Sequence, residues 1–407
     1  TAYEITYGDW SSDVCSSDLP PWKTGPKKRK HVTVVNAHAN RGWRPPKPLN
    51  RQWLAAALWC GLLIGRADAA TASADKALID DISRQSVMFF LEQAHPVTGL
   101  VPDRARADGT SAAPFASMAA TGFGLTALCI ADARGWLAHT TALARVRSAL
   151  QFLHDDCPQV HGFYYHFVEP GTGARSGPSE LSSIDTALLM AGILTARAHF
   201  KDAGIADLAT RLYERVDWPW MLAGDTVFSM GWTPDHGFLH ARWKGYNELM
   251  ILYLLALGSP THPIPPECWH AWRRLPVDTY AGLTFLHCPP LFTHQYSHAW
   301  IDFRDRRDAY ADYWLNSTLA TRAQQQLCLD MRPEFPLYAT NLWGLSAADG
   351  PKGYMVWGGP PPTLGSLIDG SVVPCAPGGS IPFAPELCLP TLHNLRNTYG
   401  SATWSRY

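Results

Sequence analysis

Several signatures are missing from this sequence. It holds no GxSxG turn and no GxxxxGK[ST] loop, which demotes acyl transfer by a serine elbow and nucleotide hydrolysis on a phosphate cradle. No two cysteines form CxxC, and seven of the nine Cys follow residue 69, an odd number that cannot all pair within the chain. Buried thiols are the expected state, with Cys375–Cys388 as the one bridge an oxidising compartment would allow. Apolar runs are short: "WLAAALWCGLLIG" has 13 residues and "LMILYLLALG" ten, both well under the roughly 20 that span a bilayer.

Charge of either sign is nearly balanced at −1, but unevenly spread. Of 34 Lys/Arg and 35 Asp/Glu, 10 and 5 fall in residues 1–69, so the remainder carries 24 against 30, a net of −6. A mildly acidic body argues against nucleic acid as a partner. The basic run "PKKRK", Pro26 to Lys30, sits in a low-complexity leader and is read as incidental. That leader, residues 1–46 with "SSDVCSSDL", is expected to be spurious or disordered sequence ahead of the true start. Lys47 and Arg51, the 13-residue apolar run and Ala67-Asp68-Ala69 follow the order of a secretory signal peptide over 47–69. A periplasmic or secreted protein, cleaved near Ala69/Ala70 and without a stable membrane span, is therefore expected.

What is abundant is apolar and aromatic. The chain has 407 residues, 46% of them hydrophobic, and 47 aromatics, enough to bury a large core and to panel a sugar-binding cleft. Periodicity predicts an amphipathic helix over 75–93 with Ile79, Ile82, Val87, Phe90 and Leu91 inward. The segment 117–132 is capped by Ser117 and small or apolar on every side, which predicts a helix buried all round. Residues 139–154 are amphipathic again. The same couplet recurs at 182–200 and 205–217, and a third buried helix begins near Tyr246. Starts near 117, 182 and 246 lie 65 and 64 residues apart, a structural repeat of inner and outer helices. An all-α barrel of helical hairpins follows, with cleft-forming loops at one end. Residues 161–175 and 225–243 read as short hairpins turning at Pro170-Gly171 and Pro234-Asp235.

The candidate chemistry lies at the mouths of the buried helices. In "SGPSELSSIDTALLMAGI", residues 176–193, Ser182 and Asp185 form an S-x-x-D capping box, so Asp185 is expected as a structural cap. Glu180 precedes that cap and cannot share its task. The helix end favours its charged form and burial its neutral form, the balance that suits a general acid near neutral pH. Asp103, Glu248, Asp349 and Asp369 stand in comparable loops, flanked by turn residues and aromatics. Each taken singly is ordinary turn chemistry; their joint placement in cleft loops carries the reading. His294 and His298 at i, i+4 with Asp302 offer a metal face, but the tract lacks the HExxH glutamate and is rich in aromatics and amides. Contact with sugar hydroxyls is the better reading there, and no metal or other cofactor is expected. "GFGLTA" (122–127) fits GxGxxA yet lies inside a helix with no strand before it, so the dinucleotide reading fails.

"TGLVPDR", "AATGFGLTAL", "HGFYYHFV", "ELSSIDTALL", "YNELMILYLLALGSPTHPI", "PLFTHQYSHAWIDFRD", "WGLSAADGPKGY", "DGSVVP" and "FAPE" occur in this order. Together they resemble the glucoamylase-like family of bacterial glycoside hydrolases that includes the endo-β-1,2-glucanases, glycoside hydrolase family 144. The similarity covers about residues 75–407. It implies an (α/α)6 barrel over 70–407, read as incomplete at its C-terminal end, and metal-independent inverting hydrolysis of β-1,2-glucan. Carried over by motif, Glu180, Asp369 and Asp103 are the catalytic candidates. The sugar-contacting set is expected to comprise Tyr164, Trp232, Trp243, Tyr246, Glu248, His294, Gln295, His298, Trp343, Asp349, Tyr354 and Trp357. The partner is a β-glucan oligo- or polysaccharide. Competing readings are a transglycosylase related to the cyclisation domain of cyclic glucan synthases, a non-catalytic glycan-binding protein and a polysaccharide lyase.

Overall fold

The computed structural model describes residues 51–110, 112–350, 353–359 and 368–407, with side chains from residue 71 onward except 401–403. The leader at 1–46 and the first residues of the expected signal segment lie outside the described residues. The chain divides between Asp80 and Asp81. In the first unit the described part is the opening stretch of α1 (Arg51–Gln93). No helix among the described residues is long and apolar enough to cross a membrane.

From Asp81 onward the inner and outer helices alternate as their hydrophobic patterns predict. α2 (Met118–Ala133) and α4 (Ser183–His199) are inner helices with buried residues on every side. α3 (His139–Asp155) and α5 (Ala203–Glu214) are amphipathic and pack outside them. A short α6 (Trp218–Leu222) leads to the third inner helix, α7 (Met250–Leu257), which starts four residues later than Tyr246 because Asn247 holds the preceding turn, accepting from Leu249 N–H at 3.0 Å. α8 (Cys268–Ala271), the long α9 (Tyr313–Asp330), α10 (Cys375–Gly379) and α11 (Pro385–Thr403) complete the described helices. Local caps set the starts: Ser117, Ser182 and Asp312 accept from Ala120, Asp185 and Leu315 N–H.

The inner pair touches backbone to backbone. A Cβ on Gly192 would lie 2.0 Å from the Gly122 carbonyl oxygen, and one on Gly122 would lie 2.3 Å from that of Leu188. Glycine is required at this crossing because any side chain would force α2 and α4 apart. A two-residue strand, Ala116–Ser117, does precede this helix, but the glycines of the apparent GxGxxA motif lie within α2 and Gly122 serves the crossing with α4.

Short strands knit the loops above the helix starts. β1 (Ala116–Ser117) pairs with β4 (Phe167–Val168), and β2 (Gln159–Val160) with β3 (Phe163–Tyr164). The tract 161–175 is therefore not one simple hairpin, although Val168 and Arg175 do bridge across the Pro170-Gly171 turn. β5 (Leu181–Ser182), β6 (Gly231–Thr233) and β7 (Gly237–Phe238) form a three-stranded ladder whose β6–β7 turn is the expected Pro234-Asp235 one. β8 (Val277–Tyr280) pairs with β9 (Leu283–Leu286), and β10 (Ala347–Gly350) with β11 (Gly353–Val356).

All seven described cysteines are free. The Cys375–Cys388 bridge is not formed: Cys375 is exposed in α10 whereas Cys388 is fully buried in α11, its thiol pushed up to about 12 by burial. Replacing Gly192 with alanine is expected to destabilise the protein by about 3 kcal/mol or more through overpacking, read as a lower urea midpoint at unchanged slope, whereas Gly135→Ala, with open space around it but a positive φ of 67°, should cost less.

Candidate active site

The starts of α2 and α4 are tied to one loop, which pairs with β1 through β4 and bridges to β5 through Tyr165 and Leu181. His166, between β3 and β4, is clamped there by its backbone: its N–H donates to Glu180 O at 2.8 Å and its C=O accepts from Met118 N–H at 3.2 Å. Glu180 needs a glycine opposite, since a Cβ on Gly231 would lie 2.6 Å from its Cγ. The His166 ring stacks on Phe167 with centroids 3.8 Å apart. One edge of the ring, Nδ1, meets Glu180 Oε1 at 3.1 Å; the other, Nε2, faces Asp185 Oδ1 at 3.6 Å.

Charge explains this geometry. Burial alone would depress the His166 imidazolium, but the charge on Asp185, the bond and charge of Glu180 and the charge on Asp103 outweigh it and raise the pKa to about 9. Ser182, not Asp185, caps α4: the Asp185 N–H donates to Ser182 Oγ at 3.2 Å, and the Asp185 carboxylate, expected to serve the helix N–H groups, instead accepts from the Ser182 hydroxyl at Oδ2. Burial raises the Asp185 pKa, His166 and Ser182 pull it down, and Glu180 and Asp103 push it up again, leaving it above the ordinary value. His166, Glu180 and Asp185 also offer three ligand atoms within 4.8 Å of one another, the geometry of a small metal site. With a carboxylate on each edge of the ring, a protonated imidazole offsets one of the two negative charges, and we read the cluster as proton-bearing.

Asp103 and Asp349 share a cation. Arg104 donates from Nε to Asp103 Oδ2 at 2.6 Å and from Nη1 to Asp349 Oδ1, and its guanidinium lies 5.5 Å from the Tyr354 ring centre. Glu248, just ahead of α7, is handled differently. It is partly exposed, and burial, with the Asp185 charge adding to it against a bond from its own backbone, pushes its pKa up to about 7. Partly exposed Phe123, Tyr296 and Trp300 form an aromatic wall, with centroids 5.3 Å and 4.6 Å from Phe123 to the other two, and Tyr296 lies within electrostatic reach of Glu248 and Asp185.

The structure thus brings together Glu180, Asp103, Glu248, Asp349 and Tyr354. Asp369 is exposed and accepts from Ser371 N–H in its own turn at 3.0 Å, with Trp357 as a further partner of its carboxylate. Burial pushes its pKa upward, but the Ser371 bonds, with that of Trp357 beside them, prevail and hold the carboxyl below its ordinary value. Trp232 is partly exposed on β6 against Trp220, with centroids 5.8 Å apart.

The other expected sugar contacts are packing residues. Tyr164 is fully buried and donates to Leu153 O at 2.8 Å; Trp243 is buried and donates to Ser183 Oγ at 2.8 Å. Tyr246 and His294 are buried against each other, 3.1 Å apart. Gln295 ties down the C-terminal region, donating to Ala376 O at 2.9 Å and Ser380 Oγ at 2.8 Å. Trp343 and Trp357 lie in a second core with Leu327 and Tyr338. His298 meets Ser317 Oγ at 3.1 Å and packs on Phe303 and Phe383. Large aromatic surfaces contribute most when fully removed from water, and that preference placed these rings.

The expected helical face of His294, His298 and Asp302 does not form. The chain makes two short 3-10 turns, Leu291–His294 and Tyr296–Ala299, while Asp302 pairs with Arg304. Burial depresses the imidazoles of His294 and His298 to about 3 and about 4, so both are neutral. Sequence reasoning missed His166, Arg104 and the Phe123–Tyr296–Trp300 wall. The signal for His166 was present, a histidine beside Phe167 in a loop facing an acidic helix mouth.

Residues 240–407 match a family model described as "Glycoamylase: Putative glucoamylase". The exo β-1,2-glucooligosaccharide sophorohydrolase (non-reducing end) of Parabacteroides distasonis is 26% identical over 372 residues, covering 82% of this chain and 50% of that protein, so the chain spans about half the length of this curated relative. Among solved structures, a "putative glucoamylase" from Bacteroides uniformis aligns with TM-score 0.76 and 27% identity over 82% of this chain and 84% of the other. An endo-β-1,2-glucanase from Chitinophaga pinensis, in complex with sophorotriose and glucose, aligns with TM-score 0.75 and 25% identity over 82% and 85%. The helical barrel has the (α/α)6 architecture of these proteins.

Glu248, which has no cation beside it among the described residues, leads to a stability prediction. A carboxyl whose folded pKa is raised stabilises the fold below its unfolded pKa and loses that contribution as pH rises through about 7. Glu248→Gln removes this loss, so the variant should be more stable than the parent by about 1–3 kcal/mol at pH 8.5 and no more stable at pH 4.5; urea unfolding at both pH values checks the sign.

Proposed function

We propose that this chain, glucoamylase-like in family and fold, is a glycoside hydrolase that cleaves β-1,2-glucan with inversion at the anomeric carbon. The observation that carries the reading is Glu180, partly exposed at the mouth of α4 and hydrogen-bonded to a cationic His166, with Asp103 and Asp185 close enough to raise the His166 pKa and Asp185 close enough to raise that of Glu248. Proton-bearing groups beside ionised carboxylates are what acid–base cleavage of a glycosidic bond requires. The similarity to two enzymes of β-1,2-linked glucans supports that linkage.

In this proposal Glu180 protonates the leaving oxygen, directly or through a substrate hydroxyl. Asp369, exposed and held ionised by Ser371, activates the attacking water. An inverting pair stands roughly 6.5–9.5 Å apart with that water between its members. The Phe123–Tyr296–Trp300 wall supplies apolar faces for sugar rings, and Arg104, Asp103 and Asp349 supply polar partners for hydroxyls. The segment 47–69 supports a periplasmic or secreted location as part of the same proposal.

Glu180→Gln and Asp369→Asn keep side-chain shape and remove proton transfer, so each is expected to lower the rate of reducing-end release from linear β-1,2-glucan by about a hundredfold to ten-thousandfold. Near-parental rates in either variant remove that residue from its role, and parental protein that cleaves no β-glucan leaves a glycan-binding protein. Proton NMR of the first product should show the α-anomer; initial β-anomer means retention and the cyclisation-type chemistry. Activity is also expected to persist in EDTA, which tests the reading of His166, Glu180 and Asp185 as a proton-bearing cluster.

A further inference from the structure

His166 is built into the site more firmly than packing requires. Its backbone is held between the first residue of α2 and Glu180, and its ring lies flat on Phe167, itself edge-on to Phe115 at 4.9 Å. Asp185, on the far edge of the ring, is fixed in turn by Ser182. The charged and titratable groups facing the ring are Glu180 from the β4–β5 loop, Asp185 from α4 and Asp103 from the loop before β1, with Glu248 beyond Asp185.

The neutral histidines of this protein show what a packing role looks like. His294 is sealed beside Tyr246, and His298 touches a serine hydroxyl among aromatic rings. Neither pairs with a carboxylate on both edges. A line of carboxylate, imidazole and carboxylate behaves as one coupled system, and its proton belongs to the set rather than to one member.

We propose that His166 positions Glu180 and supplies the proton that Glu180 delivers to the leaving oxygen, the imidazole acting as the proton store and Asp185 as its counter-charge. The proposal rests on the hydrolase reading above. At rest the proton is on His166. As the glycosidic C–O bond breaks, it passes from Nδ1 to Glu180 and from Glu180 to the leaving oxygen. Water adds to the anomeric carbon and gives its proton to the general base, and that proton returns through solvent to the imidazole. One water is consumed and no net proton is gained or lost.

His166→Gln retains an amide donor toward Glu180 and stores no proton. It is expected to lower kcat about a hundredfold with KM changed only a few fold, and to move the alkaline limb of the pH–rate profile to lower pH. A loss of rate with an unmoved pH profile assigns His166 a structural role alone and overturns the proposal. A second readout needs neither substrate nor that variant's folding: NMR titration of the His166 ring in the unliganded protein. Its midpoint should lie above neutrality and fall toward about 6.5 in Glu180→Gln. A midpoint at or below that value in the parent, or one indifferent to Glu180→Gln, overturns the proposal whether or not glucan is cleaved. A high, Glu180-dependent midpoint in protein that cleaves no β-glucan overturns the hydrolase reading and upholds the pairing.

Discussion

The close crossing of α2 and α4 at Gly122 and Gly192 is the constraint on which the site depends. Because each backbone occupies the space where the other's Cβ would stand, the two inner helices approach as nearly as sterics allow. Their N-termini then come within reach of a single loop, and His166 bridges them with one backbone hydrogen bond to each side. Gly231 repeats the device at smaller scale, leaving room for Glu180 beside the β5–β6 ladder. Glycines at these points do not confer flexibility; they remove atoms where function needs two backbones close together.

Crowding carboxylates at one end of a barrel raises the problem of their mutual repulsion, and the structure meets it in three ways. His166 takes a proton between Glu180 and Asp185. Arg104 divides its guanidinium between Asp103 and Asp349, and those charges outweigh its own burial to raise its pKa. Glu248 is given no cation by its described partners, and its pKa rises instead. A cationic imidazole and a carboxyl of raised pKa thus stand side by side, set by which neighbour each one received. A site arranged this way sacrifices stability, since a carboxyl with a raised folded pKa opposes folding wherever it must ionise.

Aromatic residues divide between packing and cleft by a similar competition. Tyr164, Tyr246, Trp343 and Trp357 are enclosed in the cores, and the polar atoms of the first three find protein partners. Phe123, Tyr296, Trp300 and Trp232 keep part of their surface in solvent. Sequence neighbours do not separate the two groups: Tyr296 lies two residues from His294 yet faces the wall while His294 faces the core. The two short 3-10 turns, Leu291–His294 and Tyr296–Ala299, set these directions, and the i, i+4 spacing of His294 and His298 does not describe them.

By itself the sequence determined whatever depends on residues a few positions apart. Ser117, Ser182 and Asp312 cap helices because a side-chain oxygen reaches an N–H three residues on, and the couplets of buried and amphipathic helices follow from 3.6-residue periodicity. Glu180 was legible as an acid with no capping task, and Asp103, Glu248 and Asp349 as acids in aromatic loops. Only the tertiary structure decided which of them interact, placing Asp103 with Glu180 and Asp185 in one electrostatic cluster while Asp369 closes its own turn. It alone made His166 a cation and His294 a neutral core residue, because the charge of an imidazole depends on carboxylates and burial contributed by segments distant in the chain.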